Sequence, residues 1–203
     1  MQELGKDDVK VINKESLHTG FFKTNLYHVQ HKKFDGSWTP VFTREVFERG
    51  HAVAVLPYDP ELEEFVLIEQ FRFPAMETAK TPWQLEVVAG IIEPNESYEE
   101  VIHREAKEEA NLVLDKVFEI PSFLVSPGGT TERIYAYIGK VDASNAGGVH
   151  GLDEETEDIR VHRVSEAVAK EWLLSGKLEN ATAIILLQWF FLNKQNILDA
   201  WAS

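Results

Sequence analysis

Residues 97–111 constrain the fold of this chain more than any other stretch, because a helix start, a helix stop and inward-facing acids fall together there. Ser97 followed by Glu100 is a capping box, in which each side chain takes up a backbone N–H of the first turn. On a wheel turning ~100° per residue from Tyr98, Ile102, Ala106 and Ala110 drift to one side and Val101 falls on the other. Glu105 and Glu109 lie inside the apolar arc, Glu108 sits at its edge, and Glu100, His103 and Lys107 face away. Two carboxylates one turn apart on a partly buried face repel each other and lose hydration, so they call for a cation. A hard divalent ion answers that need, since Mg²⁺ takes oxygen ligands, keeps several waters and bridges carboxylates to phosphates. Arg104 is an alternative counter-charge, and a solvated Glu-rich surface helix is the competing reading of the spacing alone.

Composition narrows the partners. The chain has 34 acidic and 20 basic residues and a formal net charge of -14, which argues against nucleic acid, whose binding rests on Lys and Arg neutralising phosphates. An anionic phosphate substrate could approach such a protein only with cations between them. The absence of cysteine excludes disulfides, thiolate metal sites and cysteine nucleophiles. The histidines show no paired metal-binding spacing. A length of 203 residues suits one large α/β domain, or a domain with a short appended element. The N-terminal residues lack the basic start and apolar core of a signal peptide, and no apolar run reaches the ~18 to 20 residues of a membrane span. A soluble, cytoplasmic protein with no membrane partner is expected.

Along the chain, residues 8–45 alternate apolar and polar types around Phe34-Asp35-Gly36-Ser37, predicting an N-terminal β-hairpin closed by Asp-Gly. Segments 52–57 and 64–71 flank the turn Tyr58-Asp59-Pro60-Glu61 and predict a second hairpin. Segments 83–92, 117–125, 133–141 and 158–164 are further strand candidates, rich in β-branched and aromatic residues. A second helix is expected from Ser165 to Gly176, and a third after Asn180, whose apolar stretch 184–192 reads as core or interface. The glycine-rich approach Gly147-Gly148-Val149-His150-Gly151 leads into acidic residues 153–158, the expected mobile loop.

Read in order, Gly90, Glu96, Arg104-Glu105-Ala106, Glu108-Glu109 and Asn111-Leu112 resemble the signature of the Nudix hydrolase family. Only Asn111 departs from it, standing where the family has glycine at the helix end; Asn is the other residue that tolerates a left-handed conformation, so a small stability cost is expected. The resemblance implies an α+β fold, an α/β/α sandwich around a mixed sheet, with an N-terminal antiparallel β element at 1–47 and the hydrolase domain at 48–203. It implies that Glu105, Glu108, Glu109 and the carbonyl of Ala89 hold the metal, Mg²⁺ with Mn²⁺ as a substitute. Arg104 is implied to orient the carboxylates, and Glu96 to have a structural role.

That signature gives the reaction class, hydrolysis of a nucleoside diphosphate linked to another group. Gly20-Phe21-Phe22, 44–51, 126–133 and 157–161 are similar to bacterial family members that split ADP-ribose, and Pro127 is that branch's marker. On this resemblance Phe21 stacks on adenine, Arg44 and Arg72 contact phosphates, and Glu132 accepts hydrogen bonds from adenine or ribose. The plainer alternatives are Phe21 in the core, Arg44 and Arg72 in surface ion pairs, and Glu132 paired with Arg133. Because the signature carboxylates are occupied with metal, the base that activates water is expected from the acidic loop, at Glu155, with Glu157 next as base or metal ligand. AMP and ribose 5-phosphate are the expected products. The resemblance also implies a homodimer that exchanges N-terminal strands. Other nucleoside diphosphate sugars such as ADP-glucose, or a non-catalytic ADP-ribose-binding module, are the competing functions.

Overall fold

The computed structural model describes residues 3–202. The chain falls into two compact units, one running to His51 and joined by Leu124–Arg133, the other made of Ala52–Phe123 with the residues from Ile134 onward. The inclusion of Leu124–Arg133 in the first unit assigns Pro127 and Glu132 to it.

The first unit is an antiparallel meander of β1 (Val9–Thr19), β2 (Lys23–His31) and β3 (Phe42–Glu48). The expectation of a single hairpin closed at Asp35-Gly36 is therefore corrected. β1 and β2 turn at Gly20-Phe21-Phe22, where the Gly20 N–H donates to the Phe22 carbonyl at 3.0 Å. Gly36 does adopt φ 85°, and Asp35 Oδ1 accepts from the Ser37 N–H at 2.9 Å, but this turn lies inside the β2–β3 connection. β3 is extended by the 126–131 loop: Phe47 N–H donates to the Gly129 carbonyl at 2.8 Å, and Phe47 bridges Thr130 in parallel.

The second unit is built on a mixed sheet centred on β4 (Ala52–Asp59). The other strands of the sheet are β5 (Glu64–Phe71), β6 (Trp83–Glu86), β7 (Val88–Ile91), β8 (Lys116–Leu124), β9 (Arg133–Lys140), β10 (Val149–His150) and β11 (Ile159–Ser165). The path runs β10-β11-β5-β4-β9-β8, with β6 beside β5 and β7 beside β4. β4 pairs parallel with β9 and antiparallel with β5 and β7. The predicted strand 83–92 is in fact two strands, because β6 pairs with β5 while β7 switches to β4.

Every residue of β4 is buried, as expected of a strand covered on both faces. Ala52, Ala54, Leu56 and Tyr58 face one apolar cluster with α2 (Glu166–Ser175) and α3 (Ala181–Ala202). Val53 and Val55 face the other, with Val101, Ile102, Ala106 and Ala110 of α1 (Tyr98–Ala110). This gives the layered α+β arrangement that the sequence implied. The inner side of the apolar stretch of α3 is core, since Leu186, Leu187 and Phe190 are fully buried and Phe190 meets Tyr58 at 4.5 Å between ring centroids, while Leu192 at its end is exposed. Among the described residues, no helix is long and apolar enough to cross a membrane.

Candidate active site

Helix α1 begins as its residues dictate: Ser97 Oγ accepts from the Glu100 N–H at 3.3 Å, and Glu100 Oε2 accepts from the Ser97 N–H at 2.8 Å. It ends at Asn111, which takes the left-handed conformation with φ 51° and ψ 36°. The buried arc is the one the wheel predicts, with Val101 on one flank and Ile102, Ala106 and Ala110 on the other, and Glu109 buried between them. His103 and Lys107 are exposed, as expected.

The predicted carboxylates are gathered on the inner side of α1. Glu109 is only 3% exposed, and its Oε2 accepts from the Ala89 N–H on β7 at 3.0 Å. Glu105 lies against Gly90, the next residue of β7, so closely that a Cβ on Gly90 would stand 1.7 Å from Glu105 Oε1. Only glycine leaves that carboxylate its place. Arg104 holds the outer side: Nε donates to Glu96 Oε1 at 3.0 Å, and Nη1 donates to Glu105 Oε1 at 2.8 Å and Glu108 Oε2 at 3.1 Å. Arg104 thus bonds Glu96, Glu105 and Glu108 together.

One arginine does not balance this group. Burial pushes the Glu109 pKa well up, against the Ala89 hydrogen bond, with Glu105 and Glu157 adding repulsion and Arg72 easing it. Burial also raises Glu105, opposed by Arg104 and reinforced by Glu108 and Glu157. Burial disfavours the Arg72 charge, but Glu86 outweighs it, helped by Glu109 and Glu157, so that its pKa is raised. Arg72 and Glu157 therefore lie within electrostatic range of the buried carboxylates.

Glu157 reaches this position through a shaped loop. The Gly151 N–H donates to the Glu108 carbonyl at 3.3 Å, tying the loop to α1. Gly151 has φ 105°, and a Cβ there would fall 2.7 Å from Glu157 Cβ, so glycine admits the glutamate. Thr156 is left-handed at φ 58°, a costly conformation for a β-branched residue, and it separates Glu157 from Glu155. Glu155 is exposed at the end of the single-turn helix Asp153–Glu155.

These residues fit a hard divalent cation. The donors are carboxylates: Glu109 is buried with no cation bonded to it, part-buried Glu105 shares its one arginine with Glu96 and Glu108, and Gly90 leaves Glu105 its space. Among the described residues no three acidic or imidazole side chains converge closely enough to hold a metal ion as they stand. Glu105 and Glu108 are bonded to Arg104, and Glu109 to the Ala89 N–H.

Of the predicted substrate residues, Arg72 is in this unit, where it pairs with Glu86 at 2.8 Å. The others are in the first unit. Phe21 is 86% exposed at its turn, which removes the alternative that it is core. Arg44 is exposed, its Nη1 donating to the Thr43 carbonyl at 2.8 Å and its guanidinium lying over the Phe42 ring. Pro127 is exposed in the turn closed by the Gly129 N–H on the Ser126 carbonyl. Glu132 is buried and pairs with Arg49 at 3.5 Å, while Arg49 also lies over the Phe22 ring.

Sequence reasoning gave no individual role to Phe22 or Arg49, which it took only as parts of matching segments, or to Glu86 around Arg72. For Glu86 the sequence points the other way: Trp83-Gln84-Leu85-Glu86 alternates apolar and polar, which reads Gln84 and Glu86 as outward, whereas the structure buries both. Nothing local marks the Arg49–Glu132 pair, whose members are far apart in sequence.

Residues 48–183 match the model of the NUDIX domain. The chain is 50% identical over 198 residues to ADP-ribose pyrophosphatase of Escherichia coli (strain K12), covering 98% of this chain and 95% of that protein. It is 39% identical over 204 residues to ADP-ribose pyrophosphatase of Haemophilus influenzae, covering 99% and 94% respectively. A crystal structure of an ADP compounds hydrolase is similar in fold, with a TM-score of 0.68 at 18% identity over 96% of this chain and 98% of that one.

Proposed function

Because the chain belongs to the Nudix family, we propose that it hydrolyses the pyrophosphate bond of ADP-ribose to AMP and ribose 5-phosphate in a reaction that requires Mg²⁺, with Mn²⁺ as a substitute. The observation that carries this reading is the identity to ADP-ribose pyrophosphatases over 98% of the chain. It takes in the substrate residues of the first unit as well as the carboxylates of the second.

Glu105, Glu108, Glu109 and the Ala89 carbonyl would hold the metal, which when bound neutralises charge on the pyrophosphate oxygens and lowers the pKa of water. Arg104 keeps Glu105 and Glu108 in one orientation before substrate arrives. Arg72 contributes cationic N–H groups to the phosphates from beside the carboxylates. Phe21, Arg44, Pro127 and Glu132 form the nucleoside and phosphate contacts of the first unit. Exchange of the N-terminal element 1–47 within a homodimer, in the cytoplasm, belongs to the same reading.

Glu155 and Glu157 divide the remaining work by location. Glu157 lies in the field of Glu105 and Glu109, where it suits an additional metal ligand. Exposed Glu155 is left to take the proton of the attacking water. Glu155→Gln should cut turnover by orders of magnitude while ADP-ribose still binds, and Glu157→Gln should raise the Mg²⁺ concentration needed for activity. Near-normal turnover in Glu155→Gln would contradict the assignment of the base.

A further inference from the structure

Arg72 is held from behind by a carboxylate that its own sequence neighbourhood does not announce. Its backbone N–H donates to the Pro82 carbonyl at 2.7 Å, which anchors the main chain just past β5. Its side chain is half exposed, but Glu86 on β6 is only 7% exposed. Arg72 Nε lies 3.3 Å from both Glu86 oxygens, and Nη2 donates to Glu86 Oε2 at 2.8 Å.

Two further donors fix that carboxylate. Gln70 Nε2 donates to Glu86 Oε2 at 3.3 Å, and Asn180 Nδ2 donates to Glu86 Oε1 at 3.1 Å. Asn180 also opens α3, its Oδ1 accepting from the Ala183 N–H at 3.0 Å. A carboxylate surrounded in this way has one orientation, and it imposes that orientation on the guanidinium. The Glu86 contact uses the Nε edge of Arg72. Both Nη1 protons and the outer Nη2 proton remain for an anion. Burial forces Glu86 to keep its cation, so Arg72 cannot turn away without leaving a buried charge unpaired.

We propose that Glu86 is a positioning residue for pyrophosphate hydrolysis: it fixes the Arg72 guanidinium so that the free edge meets the substrate phosphates, with Asn180 as its second support. This rests on the reading of Arg72 as a phosphate contact. A purely structural ion pair would stabilise the fold without acting through Arg72, and a double-mutant cycle separates the two.

The experiment measures kcat and KM for ADP-ribose in saturating Mg²⁺ for Glu86→Gln, Arg72→Ala and the double variant, each checked for a cooperative melt. Glu86→Gln is expected to lower kcat/KM by about tenfold to a hundredfold, the cost of misplacing a binding group. In the Arg72→Ala background it should cost less than about threefold, because the group it positions is already gone. Asn180→Ser, which keeps the helix cap but loses the amide donor, covers the case in which Glu86→Gln fails to fold. It should show a smaller loss that also disappears with Arg72→Ala. Equal losses in both backgrounds, or unchanged kcat/KM in folded Glu86→Gln, would overturn the proposal. Near-normal kcat/KM in Arg72→Ala alone would overturn it by removing its premise, an outcome visible before the cycle is closed.

Discussion

Gly90 and Glu105 share one space: the Glu105 carboxylate sits where a side chain on Gly90 would be, with Oε1 1.7 Å from the position of a Cβ. A substitution there therefore acts on the Glu105 side chain, from Cγ at 2.5 Å outward, rather than on backbone. Gly90→Ala should leave the protein folded, with a stability change of about 1 kcal/mol or less, because the glutamate can swing aside. It should nevertheless raise the Mg²⁺ concentration for half-maximal activity severalfold and reduce turnover. Metal titrations of activity beside thermal melts check this, and an unchanged Mg²⁺ requirement would show that the position of Glu105 is not used.

The buried Glu109 carboxylate predicts an unusual pH dependence. Its folded pKa is raised, chiefly by burial, so the folded state holds that proton more tightly than the unfolded chain. In metal-free protein it is a penalty at neutral pH. That penalty is relieved as pH falls through the folded pKa toward the ordinary value of 4.5. Glu109→Gln removes the titration. The stability of the natural chain relative to Glu109→Gln should therefore rise as pH falls in urea unfolding without metal. Saturating Mg²⁺ should reverse the trend, since it binds the ionised form. Parallel curves for the two proteins would contradict the shift.

The Ser97 cap is separable from the chemistry. Ser97→Ala removes the acceptor of the Glu100 N–H and the hydroxyl bonded to Glu100, and should cost about 1 kcal/mol in denaturant unfolding. Turnover at saturating metal should stay within about twofold, because α1 remains packed through its buried arc. A large loss of turnover without loss of stability would give the cap a role in the site.

Asn111 departs from the family signature at a left-handed position, φ 51°. Asn111→Gly should relieve that conformation but lose the hydrogen bond from Lys107 Nζ to Asn111 Oδ1. The net change should lie within about 1 kcal/mol with activity unchanged. Comparison of melting temperature and turnover tests it.

The sequence was most readable where the determinants were local. The capping box, the left-handed stop and the helical period together defined α1 and its inward glutamates, and Ser165 and Gly176 defined α2 in the same way. The N-terminal meander was less legible because its first turn, Gly20-Phe21-Phe22, has one glycine followed by two aromatic residues instead of a turn pair such as Asp35-Gly36. The division of 83–92 into β6 and β7 depends on which strand each half pairs with, and an apolar run carries no record of that choice. The same holds for the site. Glu105, Glu108 and Glu109 lie on one helix and were read together, whereas Glu157 reaches them through Gly151 and Thr156, and Arg72 is fixed by Glu86 and Asn180 across elements.

The measurement that bears most directly on the account is product analysis of ADP-ribose incubated with the protein, with and without Mg²⁺, beside a panel of other nucleoside diphosphate sugars. The account predicts AMP and ribose 5-phosphate in equal amounts, formed only with the metal and fastest from ADP-ribose. Binding of ADP-ribose without turnover in Mg²⁺, product formation that ignores the metal, or faster cleavage of another sugar such as ADP-glucose would contradict it.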